Sequence, residues 1–81
     1  MVEMNTIDLG IQLQNRRKTL QLSQAYVAEL AGLSTRQLLN WEAGRGNPSF
    51  TQLQAVLEVL GLELHIKLKP APWIIEKQKY S

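Results

Sequence analysis

Ser23, Ser34 and Ser49 each precede a short run of helix-forming residues, and Gly32, Gly44 and Gly61 each follow one. A serine oxygen accepts from the free amides at a helix start, and glycine takes the left-handed turn that ends a helix. This punctuation predicts a helix over residues 24–31, a second between Ser34 and Gly44, and a third over residues 50–60. Upstream, residues 7–20 carry Leu9, Leu13 and Leu20 on one helical face, and Arg17 falls on the same face and needs a partner there. Residues 1–6 show no periodicity and read as a loose end.

Between these stops the chain has the helix, glycine-containing turn, helix layout. Val27, Ala28 and Ala31 give residues 24–31 a stripe of small side chains that another helix can approach closely. Leu33 plugs the turn. In the next helix Leu38 and Trp41 point one way, whereas Thr35, Arg36, Gln37 and Asn40 point another. Gly44-Arg45-Gly46-Asn47-Pro48 is a breaker cluster and must be a loop. Phe50, Leu53, Val56, Leu57 and Leu60 form the apolar set of the fourth helix. No fifth helix follows.

Instead, in residues 62–69, Leu62, Leu64, Ile66 and Leu68 alternate with Glu63, His65, Lys67 and Lys69, the period of a half-buried strand. Pro70 and Pro72 terminate it. A lone strand leaves its backbone donors and acceptors unmet. Two antiparallel copies across a two-fold axis would satisfy them as a ribbon closing over both fourth helices. The alternative is an irregular extension packed on its own domain. The tail places Trp73, Ile74, Ile75 and Tyr80 beyond the prolines, either to bind a partner or to fold back on the ribbon.

An 81-residue chain is one domain, or one domain and a tail. The expected division is 1–6 as a flexible N-terminus, 7–61 as the helical domain, 62–69 as a dimerisation strand and 70–81 as a tail. There is no cysteine and His65 is the single histidine, so thiolate and multi-histidine metal sites are excluded, as are disulfides. No apolar run reaches the roughly 18–20 residues of a membrane span, and no basic-then-apolar leader is evident, so the cytoplasm is expected. Net charge is +2, with Arg16, Arg17, Lys18, Arg36 and Arg45 before the fourth helix and Lys67, Lys69, Lys77 and Lys79 near the C-terminus. A basic face is one reading of that placement and an ordinary solvated surface is the other. No catalytic triad, useful carboxylate pair or phosphate loop is present, and neither enzymatic activity nor a cofactor is expected.

The order of elements, with Ser23-Gln24, Val27-Ala28, Gly32, Leu38, Trp41, Glu42, the Gly-Asn-Pro loop, Leu53 and Leu60-Gly61, resembles the phage-repressor type of helix-turn-helix domain, the XRE or Cro/C1 family. The resemblance covers residues 9–61. It implies an all-α, lambda-repressor-like domain of four to five helices, here followed by one β-strand that pairs across a homodimer. It also implies that the helix after Ser34 enters the major groove of double-stranded DNA at an inverted-repeat operator. Transferred to this sequence, Thr35, Arg36, Gln37 and Asn40 would meet bases, with Gln37 reaching either a base or a phosphate. Arginine suits guanine, asparagine suits adenine, and the threonine methyl suits thymine. Gln24, Ser34, Arg45, Asn47 and Ser49 would meet phosphates, although capping alone explains the serines. Arg17 would pair with Glu42 in a structural role. Leu39 departs from the family pattern, which is usually polar there, and would touch a thymine methyl or face a neighbouring protein.

Four helices followed by an alternating strand resemble, more narrowly, the HipB-type antitoxins. That resemblance implies a repressor of its own operon that holds a HipA-like serine/threonine kinase toxin. A free-standing repressor with the same ribbon, or an interaction module that has lost DNA binding, would share the architecture.

Overall fold

Each helix begins where a side chain can satisfy free backbone amides. Residues 5–66 and Pro70 are described by the structure, a computed structural model. Helix α1 (Thr6–Thr19) starts on Asn5, whose side chain accepts from the Asp8 amide while Asp8 accepts from the Asn5 amide. This reciprocal pair meets two free donors at once and places Asp8 at the positive end of the helix. The helix therefore starts at Thr6, one residue before the expected start at residue 7, with Asn5 as its cap.

Helix α2 (Gln24–Ala31) starts on Ser23 and stops at Gly32, which takes the left-handed conformation with φ +74°. Helices α3 (Thr35–Glu42) and α4 (Phe50–Leu60) open on capping boxes, Ser34 with Gln37 and Ser49 with Gln52. The α1–α2 connection turns at Gln21, with φ +58°.

The helices close on Leu13, Val27, Ala28, Leu38, Trp41, Val56, Leu57 and Leu60. Helix α1 packs chiefly on α3, and α2 on α3 and α4. Gly10 makes the first contact possible. A Cβ there would collide with the backbone carbonyl oxygens of Trp41 and Glu42, so only glycine lets α1 lie directly on the end of α3. Helix α1 is also tied to α4, because Arg16 Nε donates to the Leu60 carbonyl oxygen at 2.8 Å and meets an acceptor left free at the α4 terminus.

Three expectations about the core change. Leu20 lies beyond the last turn of α1 and is exposed. Ala31 and Leu33 are half-buried rather than enclosed. Phe50, the first of the α4 apolar set, is 67% exposed. Helix α4 carries a wide apolar arc: Val56, Leu57 and Leu60 belong to the core, while Phe50 and Leu53, with Leu57 shared between the two, line a groove. Leu62, Leu64 and Ile66 complete that groove, which has a volume of about 660 Å³.

Residues 62–66 leave α4 with one backbone bond, from the Leu62 amide to the Leu57 carbonyl, and form no regular element in the single chain. Ile66 is 95% exposed. His65 Nε2 lies 3.0 Å from a Glu63 oxygen, with both side chains in solvent. The remaining residues of the expected strand, Leu68 included, and the tail residues Trp73, Ile74, Ile75 and Tyr80 lie outside the described residues. Among the described residues, no helix is long and apolar enough to cross a membrane and no cluster of metal-ligating side chains occurs.

Candidate nucleic-acid interface

The setting of α3 about its own axis decides what it presents. Leu38, Trp41 and Glu42 are its buried residues. With about 100° of turn per residue, the opposite side carries two adjacent rows. Thr35, Leu39 and Ala43 form one row, and Arg36 and Asn40 form the other. Thr35, Arg36, Leu39 and Ala43 are exposed and Asn40 is half-buried. Arg36 makes no hydrogen bond or ion pair among the described residues. The helix thus holds a free guanidinium, a carboxamide and an apolar row on one outward face.

Gln37 sits at the edge of that face. Its Oε1 accepts from the Ser34 amide at 2.9 Å, so its carbonyl is committed to the cap and its NH2 remains to donate. Ser34 Oγ accepts from the Gln37 amide in return, at 3.1 Å. Ser49 is engaged in the same way with Gln52. Both serines are caps, and both stand at helix starts whose remaining amides face solvent, a position suited to an anion.

The end of α3 is locked from beneath. Arg17 Nε donates to Glu42 Oε2 at 2.7 Å and its Nη2 to Oε1 at 2.8 Å, a two-pronged contact. The Glu42 side chain is only 2% exposed. Arg17 Nη1 donates to the Leu22 carbonyl oxygen at 2.9 Å. The hydrogen bond to Glu42 raises the Arg17 pKa, against the lowering effect of burial, and the Coulomb attraction of the carboxylate raises it further. Gln24 joins this cluster, its Nε2 donating to Glu42 Oε1 at 3.2 Å. One buried carboxylate therefore gathers α1, the start of α2 and the end of α3. No signal in the sequence marks Gln24 for that contact, since it lies 18 residues away.

The loop after α3 is fastened as well. The Arg45 amide donates to the Asn40 carbonyl oxygen at 2.8 Å, and Gly46 lies so close to the Trp41 ring that a Cβ there would crowd Cδ1 and Nε1. This leaves the side chains of Arg45 and Asn47 exposed. Of the five basic residues between positions 16 and 45, Arg16 and Arg17 hold the fold together, and Lys18, Arg36 and Arg45 project into solvent. The site residues thus divide into a joined set of Arg17, Gln24 and Glu42, an outward set on α3, and a flanking set at the helix starts and the 44–49 loop.

Known proteins share this fold. A helix-turn-helix family profile matches residues 13–66. The immunity repressor protein of Bacillus phage phi105 is 34% identical over 70 residues, which is 86% of this chain. The chain spans about half the length of that relative, 49%. The crystal structure of the restriction-modification controller protein C.AhdI from Aeromonas hydrophila superposes with a TM-score of 0.68 at 28% identity, over 72% of this chain and 88% of that one. With its capped α2–α3 pair, its buried Trp41 and this family match over most of its helical residues, the chain belongs to the XRE, or Cro/C1, family of helix-turn-helix proteins.

Proposed function

We propose that this protein is a sequence-specific DNA-binding transcriptional repressor that inserts α3 into the major groove. The outward face of α3 carries the reading. It offers an unpaired, exposed Arg36 beside Asn40 and Thr35, the residue types that match base edges, on a helix whose inner side is fully used by the core. Ser34, Arg45, Asn47 and Ser49 flank that face and serve as phosphate contacts that set its position, and Gln24, whose side chain is bonded to Glu42, would reach a phosphate through the start of α2. The phage immunity repressor and the restriction-modification controller support a regulatory reading.

The working unit in this proposal is a homodimer. Residues 63–66 make no backbone hydrogen bond among the described residues, and they follow a groove lined by Phe50, Leu53, Leu57 and Leu64. A second copy running antiparallel would pair the backbones and cover Leu64 and Ile66 together. Two recognition helices would then meet an inverted repeat with half-sites about one helical turn apart.

A HipB-type antitoxin is the narrower form of this proposal. It rests on the alternating segment after α4, and it adds a kinase toxin held on a surface other than α3. The free-standing repressor accounts for the same α3 face and needs no toxin.

Selection of duplexes from a random pool, followed by a salt titration of the winners, tests the central claim. A repressor should enrich an inverted repeat and lose affinity steeply as salt rises. A fold kept only for protein contacts should enrich nothing. Affinity capture from the native cells then separates the two forms: a stoichiometric kinase-like partner supports the antitoxin, and the protein recovered alone supports the free-standing repressor.

A further inference from the structure

We infer that Leu39 is a specificity-determining residue that reads the C5-methyl group of a thymine in the major groove. The inference rests on the DNA-binding reading above and extends it to a residue with no hydrogen-bonding chemistry.

Leu39 is 44% exposed, although the same helix encloses Leu38 completely. It does not lie at the margin of the outward face. It falls one turn after Thr35, one turn before Ala43, and beside the Arg36–Asn40 row. These neighbours make a narrow apolar row, a threonine methyl, a leucine and an alanine, parallel to a polar one. In the major groove, the thymine methyl is the single apolar group that a base edge offers, and it lies next to the hydrogen-bonding atoms. The two rows on α3 match that division. Arg36 and Asn40 supply donors and acceptors, and Leu39 supplies a surface that gains only by leaving water against another apolar group.

The position also argues against a protein partner at Leu39. Among the described residues, an apolar groove large enough for a partner lies on α4, with Phe50, Leu64 and Ile66. Leu39 stands instead among the exposed side chains that the function needs free. A partner seated on it would cover Arg36.

The test uses the full chain and duplexes that it has itself enriched from a random pool. Each thymine is replaced singly by deoxyuridine, which removes the methyl and leaves every hydrogen-bonding atom in place. Burial of one methyl corresponds to about a four-fold change in affinity per half-site, or roughly fifteen-fold when both half-sites are altered. At least one thymine per half-site should show that loss with the wild-type protein and none with Leu39→Ala. A thymine read by Thr35 keeps its sensitivity in Leu39→Ala, so the comparison isolates Leu39. Exposure of the side chain means the variant should keep its fold, and circular dichroism checks this. If the same thymines are sensitive in both proteins, or if none is, the inference is overturned. A change in self-association with unchanged thymine sensitivity overturns it in favour of a protein contact. If no duplex is enriched at all, the DNA-binding reading fails, and the inference with it.

Discussion

Replacing Arg17 by methionine removes one charge from a pair whose other member has nowhere to go. The Glu42 side chain is 2% exposed, and two of its three hydrogen bonds come from Arg17. After Arg17→Met the carboxylate would keep a single amide, from Gln24 at 3.2 Å. The Leu22 carbonyl would also lose its guanidinium donor. An uncompensated buried charge costs about 3–5 kcal/mol. A domain of this size holds roughly 4–12 kcal/mol in total, so the loss is a large part of its stability. The midpoint should fall by at least about 12 °C, at roughly 4–8 °C per kcal/mol.

Urea unfolding followed by circular dichroism, at one protein concentration, would measure this for Arg17→Met, Glu42→Leu and the double variant. The double variant buries no charge and should be more stable than either single one. A cost below about 1 kcal/mol for Arg17→Met would refute the argument, as would a double variant equal to the sum of the two. The pH dependence has a defined sign on the arginine side. The Arg17 pKa is raised by its bond to Glu42, so its contribution is complete below the unfolded value and is lost only as pH rises through the folded one. Both lie at the extreme alkaline end, and a titration from pH 7 to about 10 should show no step from this group.

Gly10→Ala should destabilise the domain by about 1–3 kcal/mol or more, because the added Cβ meets two backbone carbonyls that cannot turn aside; chemical denaturation measures it. Arg36→Ala should relax base preference at one position per half-site at roughly 1–3 kcal/mol, measured by competition among duplexes varied at each position; equal loss on every sequence would make Arg36 a phosphate contact. Ile66→Asp should dissociate the proposed dimer, since Ile66 is 95% exposed in the single chain and would face its own copy across the axis; sedimentation at micromolar concentration checks this, and a variant still dimeric there would dismiss the ribbon.

The helices were legible because their ends are written in single residues. Ser23, Ser34 and Ser49 cap α2, α3 and α4, and Gly32 and Gly61 stop two of them. The outward face of α3 followed from the same periodicity, since Leu38 and Trp41 fix the inward one. What escaped was set by partners distant in the chain. Nothing around Gly10 shows that it lies under the carbonyls of residues 41 and 42. Arg16 reads as a surface charge until Leu60, 44 residues on, places a carbonyl beside it. The exposure of Phe50 is hidden for a different reason: an apolar arc wider than the core has the same pattern as a broad buried face, and only packing separates the two. For residues 62–66 the alternation is plain, but a strand is a property of two segments, and one chain displays only one of them.

Specificity and stability meet on α3 through its rotation. The helix is eight residues long, too short for its own turns to resist slippage. A shift by one residue would turn it by about 100°, carrying Leu39 into the inward place of Leu38 and Arg36 into that of Thr35. Leu38 in the core, Trp41 against Gly46, and Glu42 between Arg17 and Gln24 oppose that shift. These contacts touch no base in the proposed complex, yet they hold both outward rows in register. Their loss should weaken binding to all sequences in similar proportion, because the whole face moves. The loss of Arg36 or Leu39 should change the preference at single base pairs instead. The two classes of variant are therefore separable by the shape of their binding profiles, even where their affinities for the best site are equal.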